Sequence, residues 1–273
     1  MTNKILLRGC APEPLIHYLK ALGVMRLVAE QLDKTVCGAW TADGFALETT
    51  ATESELVEFF LSEYKPTPIV APWNNSSGFY PKDKKARGYI ESLFALSDSR
   101  FEEFYTVVKT AQKIVGERTE APKDNEKMAM MQQARCLFPE KSVAWLDAAF
   151  VIGTEKPDYL PLLGSGGNDG NFSFTTNLFE KWLNTLSKTN SEKQKNASKN
   201  QLHAALFLNP VGLEKAAIGQ FHPGGAGGAN ASQGVDGDFL VNPWDFIFII
   251  EGSLMLASAT VRQLQAGARS RAS

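Results

Sequence analysis

The chain has 273 residues, with 28 Lys+Arg against 30 Asp+Glu and a formal net charge of −2. Hydrophobic residues are 44% and charged residues 21%, enough apolar surface for a core, which excludes a wholly disordered chain. A generally basic nucleic-acid binder is also excluded, so any phosphate contact must come from a local patch.

Cys10, Cys37 and Cys136 are too few and too scattered for a disulfide framework, and no two sit at metal-ligand spacing. They read as reduced thiols of a cytoplasmic protein. The N-terminal Met-Thr-Asn-Lys-Ile-Leu-Leu-Arg has too short an apolar run for a signal peptide. The longest apolar run, Phe246 to Val261, is interrupted by Glu251 and Gly252 and falls short of the ~20 residues that span a bilayer. It predicts a buried core helix within a longer one, Pro243 to Leu264, and no membrane partner.

The fold class expected is α+β, predominantly helical, with short strands and a hairpin. Residues 4–10 read as a strand. Pro12 and Pro14 open a helix in which Leu15, Leu19, Leu22 and Arg26 share a face, widened by Ile16, Leu27 and Val28. Gly23 inside it costs about 1 kcal/mol against Ala, which points to close packing there. Val36–Trp40 and Phe45–Thr49 flank Asp43-Gly44, a hairpin signal. Thr52-Glu53-Ser54-Glu55 fits a capping box. Three prolines over 66–72 require extended chain. Helices are expected across 84–152, broken by a polar loop over Gly116–Glu126. A polar helix over Thr176–Ser187 and a Lys/Asn/Ser-rich stretch over Lys188–Asn200 follow. The composition shift toward glycine suggests two regions, 1–153 and 154–273, with one continuous domain as the alternative.

Three loops carry the chemistry. The first, Trp73 to Pro81, sets Asn74, Asn75, Ser76 and Ser77 between aromatic brackets, followed by Lys82, Lys84, Lys85 and Arg87. Amides read base edges or sugar–phosphate oxygens, and the cations suit phosphate. The bland reading is a structural turn before a solvated helix start. The second loop is Gly164–Gly170, with four glycines in seven residues and with Gly166, Gly167, Asn168, Asp169 and Asn171 as candidates. Glycines let several N–H groups converge on an anion or base edge, yet the spacing matches neither the dinucleotide fingerprint nor a Walker loop. A flexible linker is the alternative. The third is Gln220 to Asn230, with Gln220, His222 and Asn230 as candidates in a stretch where Gly219–Gly237 holds seven glycines. His222 alone is more ordinary as a hydrogen-bonded structural residue. Asp236 and Asp238 straddle Gly237 and read as a turn before they read as a cation site. Glu251 in the apolar helix is either an acid with a raised pKa or a carboxylate paired to Arg262 or another cation. No triad order, nucleophile elbow or zinc spacing is present, so no catalytic residue, metal or cofactor is assigned.

The order of the segments carries a more definite signal. Residues 14–28, 64–74 with 77–79, 162–170, 219–230, and 242–246 with Glu251-Gly252 resemble the N-terminal part of the large-subunit family of type I-G (formerly type I-U) CRISPR effector complexes. Five separated segments in family order are more specific than one glycine loop. Family members are longer, so the resemblance implies a chain lacking the C-terminal part. It implies a non-catalytic subunit that recognises the motif flanking the target on double-stranded DNA and assists strand opening. A guide RNA reads the sequence, and a recruited helicase–nuclease cleaves. The implied partners are the guide CRISPR RNA, target DNA, that nuclease and the other subunits. Two other readings stand beside it. One is a protein–protein scaffold of the same complex without DNA contact, which the acidic net charge favours. The other is an enzyme using a glycine loop for phosphate and His222 or Glu251 for proton transfer, for which no motif supplies a nucleophile.

Overall fold

The computed structural model describes residues 2–152, 157–159, 162–163, 174–216, 221–222, 239–256, 260–261 and 271–272. In chain order the elements begin with β1 (Asn3–Leu7), α1 (Leu15–Gln31), β2 (Cys37–Thr41), β3 (Gly44–Thr49) and α2 (Glu53–Glu58). Then come α3 (Lys84–Leu96), α4 (Glu102–Val115), α5 (Asp124–Leu137), α6 (Glu140–Ala149), β4 (Phe150–Ile152) and β5 (Pro157–Tyr159). The series closes with α7 (Phe174–Leu186), α8 (Glu192–Phe207), β6 (Glu214–Ala216), β7 (Phe239–Val241) and α9 (Pro243–Ser253), before two-residue strands at 260–261 and 271–272. The fold is α+β and mostly helical.

The chain forms two compact units, Met1–Lys65 with Glu180–Met255, and Pro66–Phe179 with Leu256–Ser273. The chain passes from one unit to the other within α7, between Phe179 and Glu180, and position 153 lies in the second unit. Each unit is discontinuous, a property that composition along the chain does not carry.

In the first unit α9 is the core helix. All its residues are buried except the half-buried Asp245, as expected of a helix that is apolar on every side. It ends at Ser253, eleven residues short of the expected Leu264. Its neighbour α1 comes so close that a Cβ on Gly23 would lie 2.0 Å from the Phe248 carbonyl oxygen. A Cβ on Gly252 would lie 1.9 Å from that of Leu19. The expected close packing at Gly23 is therefore backbone against backbone. The buried face of α1 runs through Ile16, Leu19, Lys20, Gly23, Val24, Leu27 and Val28. Leu15 is exposed and Leu22 half-buried, so the face is rotated from the expected stripe toward the two-glycine crossing.

The hairpin of β2 and β3 pairs Thr41 with Gly44, and β1 adds antiparallel to β3 to give the order β1-β3-β2. Asp33, just after α1, ties the sheet to the helix. Its carboxylate accepts from Thr35 N and Oγ1, Thr49 Oγ1, and Thr50 N and Oγ1. These bonds, led by the Thr35 hydroxyl, hold its pKa far below the ordinary carboxylate value. The Thr52–Glu55 capping box forms as expected. The π-helical turn Phe59–Glu63 that follows α2 has no sequence signal. The Lys/Asn/Ser-rich stretch is helical: α8 begins at a second capping box, Ser191 with Gln194.

In the second unit α3 to α6 pack with the first part of α7. The expected helix over Val143–Ile152 ends at Ala149, and Phe150–Ile152 pairs with Pro157–Tyr159 as strand. Trp73 stacks on Trp145 with centroids 5.8 Å apart, and Phe150 meets the Trp73 ring edge-on at 5.4 Å. Phe104 packs edge-on against Phe179 at 5.2 Å.

A methyl group separates the two kinds of helical glycine. Gly23→Ala forces a Cβ into backbone and should lower stability by roughly 1–3 kcal/mol or more. Gly88→Ala, where an added Cβ meets nothing within 4 Å, should raise it by about 0.5–1 kcal/mol. Urea midpoints check both, and equal midpoints for Gly23→Ala and wild type would contradict the crossing.

Candidate functional site

The first loop is built as a clamped turn. After the extended 64–72 segment, Asn74 N donates to Ala71 O at 3.1 Å and starts the turn. Ser77 Oγ donates to Asn74 O at 2.5 Å, and Tyr80 Oη donates to Pro72 O at 2.6 Å. Burial pushes the Tyr80 pKa up to about 12, so its hydroxyl stays a donor. Gly78 adopts φ +86, where a side chain is strained, and its N–H donates to Asp83 Oδ2 at 2.6 Å. Asp83 Oδ1 accepts from Ala86 N and caps α3, so one carboxylate closes the turn and starts the helix.

These anchors divide the candidates. Asn74 and Ser77 are 3% and 2% exposed, inside the turn, where they cannot reach a base. The Asn74 Nδ2 is buried without a hydrogen-bond partner among the described residues. Asn75 is exposed and Ser76 half-buried at the tip. Asn75 Oδ1 accepts from Ala121 N at 3.3 Å, and Ser76 O accepts from Thr176 Oγ1 at 2.9 Å. The backbone of the tip is thus held from two sides. Lys82, Lys84 and Lys85 are exposed beside it, and Arg87 is half-buried.

Asn75, Ser76, Tyr80, Lys82, Glu120 and Lys123 border a polar cleft of about 330 Å³. Lys82 pairs with Glu120, whose carboxyl it holds below the ordinary value by hydrogen bond and charge. Both side chains are largely exposed, so the pair is a weak, salt-sensitive latch. Lys85 Nζ sits 5.7 Å from the centroid of the Tyr89 ring. Arg87 borders a second cleft with Gly78, Phe79 and Glu91. Glu120 and Lys123 lie in the segment read only as a polar loop, and no sequence signal joined them to the tip.

The other two loops contribute less. Gly166, Gly167, Asn168, Asp169 and Asn171 lie outside the described residues, as do Gln220, Asn230, Asp236 and Asp238. His222 is described and half-buried, after the fully buried Phe221. The fold brings it into the electrostatic surroundings of His17, which is far away in sequence. Burial and then the Lys20 charge lower the His17 pKa, and His222 adds to the effect. Lys20 is itself buried and paired with Asp245 at 2.9 Å. Nearby Cys10 is fully buried, and desolvation pushes its thiol up to about 12, so no nucleophilic thiolate forms there. Among the described residues no group of three His, Cys, Asp or Glu is placed to hold a metal ion.

Glu251 is the paired carboxylate of its two sequence readings, with Arg26 as the cation. Arg26 Nη1 donates to Glu251 Oε2 at 2.7 Å, and Tyr64 Oη donates to Oε1 at 2.6 Å. Burial, then the Glu251 charge, raises the Tyr64 pKa, so this hydroxyl also stays a donor. An arginine within the apolar stripe of α1 was the available signal for this pair.

Among the described residues, no helix is long and apolar enough to cross a membrane. No family model matches the chain, and no curated protein matches it significantly.

Two solution measurements check this arrangement. Cys37 and Cys136 are exposed and Cys10 buried, so a thiol reagent should modify the first two in the folded protein and Cys10 only after denaturant is added. The lowered His17 pKa means that the unfolded chain takes up a proton near pH 6.5 which the folded imidazole refuses. Its contribution to stability is whole above that pH and is lost as the pH falls through 6.5 toward the folded value. His17→Gln should flatten this part of a stability–pH curve taken from urea midpoints, and an unchanged curve would contradict the placement.

Proposed function

We propose that this chain is the N-terminal portion of a non-catalytic large subunit in a type I-G CRISPR effector complex. It acts in the cytoplasm on double-stranded target DNA, contacting the flanking motif while the guide RNA reads the target. The resemblance over five sequence segments implies the complex, its other subunits and the recruited helicase–nuclease. The observation that carries the DNA contact is the Asn75–Ser76 tip beside exposed Lys82, Lys84 and Lys85.

Lysine ammonium groups attract phosphate without regard to sequence and set the register of the duplex. An amide donates to and accepts from base edges, so it discriminates where a lysine does not. Because the buried anchors already fix the tip, little loop-ordering entropy is lost on contact. Asn75 is therefore assigned to base reading and the three lysines to the backbone. Asn74 and Ser77 hold the turn.

Exposed leucines favour a second reading. Leu208, Leu213 and Leu240 are 68%, 50% and 54% exposed in the first unit, and the β6–β7 register sets Leu240 opposite Lys215, two residues from Leu213. Such side chains suit a scaffold subunit that touches other proteins of the complex and no DNA.

The test is target-duplex binding by the reconstituted guide-RNA complex, with and without this chain, on matching and scrambled flanks. Flank-dependent binding that requires the chain is the expected result. Asn75→Ala should then cost about 1–3 kcal/mol on the preferred flank and change the preference. Combined Lys82→Ala, Lys84→Ala and Lys85→Ala should weaken all flanks alike and reduce the salt dependence by nearly one counterion per lost contact. Binding that is identical without the chain, or blind to the flank, would sink the reading and leave the scaffold.

A further inference from the structure

The Lys/Asn-rich helix α8 takes no part in the site above, yet its end forms a second polar cleft. Leu208 caps the helix in the left-handed conformation, φ 64 and ψ 37, which a residue with a Cβ adopts only at a cost. This reversal brings residues 209–212 alongside the last turns of α8. The cleft between them measures about 480 Å³, and Lys199, Asn200, His203 and Asn209 line it. Positions 199, 200 and 203 share one side of the helix by their spacing.

The side chains of Lys199, Asn200 and Asn209 make no hydrogen bond or ion pair with the described residues. The His203 ring pairs with that of Phe207, at 5.8 Å between centroids. Among the described residues no carboxylate borders the cleft. The two acids nearest in sequence are engaged elsewhere, Glu192 with Lys195 at 2.9 Å and Glu214 with Lys181 at 2.5 Å. At Gly212 an added Cβ would meet nothing within 4 Å, so the mouth is open. Lys193 in the first turn of α8 and Lys215 in β6 are exposed.

We infer that this cleft binds the backbone of a single-stranded nucleic acid, one phosphodiester per chain, with a neighbouring base against the His203–Phe207 ring pair. One ammonium, two amides and an imidazole offer several donors to an anion with several oxygens. An isolated phosphate in so open a cleft would be weakly held. The adjoining rings supply what a nucleotide adds, a flat face for a base. Bases in a duplex have their faces covered by stacking, so the strand is single. This site lies in the other unit from the Asn75 tip and stands whether or not that tip contacts DNA.

The test is fluorescence anisotropy of the full chain with a labelled single-stranded RNA of mixed sequence, at several salt concentrations. Each variant is made in wild type and again with Lys82, Lys84 and Lys85 changed to Ala, which removes the other patch. Circular dichroism confirms that each variant is folded. Lys199→Ala should weaken binding roughly tenfold and reduce the salt slope by about 0.7, one single-strand phosphate. His203→Ala should weaken it at least about fivefold through lost stacking. Lys34→Ala, an exposed lysine elsewhere, should change nothing. The inference is overturned if the strand does not bind, if Lys199→Ala and His203→Ala bind as wild type, or if Lys34→Ala loses as much. It is also overturned if a duplex binds equally well or inorganic phosphate displaces the strand at equal phosphate concentration, since the cleft would then not be a single-strand site.

Discussion

The contact between α1 and α9 is the constraint on which the first unit depends. With Gly23 against the Phe248 carbonyl and Gly252 against that of Leu19, the two backbones touch. Side chains nearby have no room to reach solvent between the helices, so polar groups on these faces must find partners inside. Lys20 meets Asp245, and Arg26 meets Glu251, whose second oxygen Tyr64 occupies. A buried ion pair adds little net stability over apolar groups of the same size, because desolvation offsets the attraction. Removing one partner is different, since it leaves a buried charge and costs about 3–5 kcal/mol. The pairs therefore act chiefly on register. A one-turn slide of α1 would clash at both glycines and separate Lys20 from Asp245 and Arg26 from Glu251, so the crossing is fixed by what its alternatives lose.

The same division between anchor and tip governs the second unit. Trp73 is held between Trp145 and Phe150, Tyr80 returns to Pro72, and Asp83 joins the turn to α3. Aromatic burial sets the position, hydrogen bonds set the backbone, and only the residues left over face outward. That is why a run of four polar residues yields two inside and two at the surface. Polarity alone does not mark a contact residue, because a tight turn also consumes hydroxyls and amides.

What was legible in the sequence follows the range of the interaction. The hairpin at Asp43-Gly44 and the capping box at Thr52 are local, and each appears as read; the glycine inside α1 signalled close packing at Gly23 but not its distant partner, Phe248. The extent of α9 was overread because its apolar run continues to Val261 while the helix stops at Ser253. The helix α8 was missed because its apolar face is short and its composition resembles a linker, although Ser191 and Gln194 carried the capping signal. Pairings such as Arg26 with Glu251 or Lys20 with Asp245 join residues some two hundred positions apart. Such partners are set by the packing of helices, and one chain read alone gives only the hint of a charge on an apolar face. For the site, the lysines after the Trp-Asn turn were legible as a charge run. The burial of Asn74 and Ser77 was not, because it depends on rings from α6 and β4.

The acidic net charge carries less weight than it first did. A charge of −2 spread over 273 residues sets only the weak far field, which salt screens beyond about 10 Å. A phosphate at contact distance responds to the few groups beside it. Two acids near the Asn75 tip are engaged within the fold, Glu120 with Lys82 and Asp83 with the turn. At the end of α8, Glu192 and Glu214 are likewise taken by lysines other than Lys199. Each such pair takes one lysine with its acid, so the cations left over are Lys84 and Lys85 beside the tip and Lys199 at the end of α8. A chain that is acidic in sum can thus present basic ground where its structure spends carboxylates on itself, and the sum neither favours a scaffold nor argues against nucleic acid.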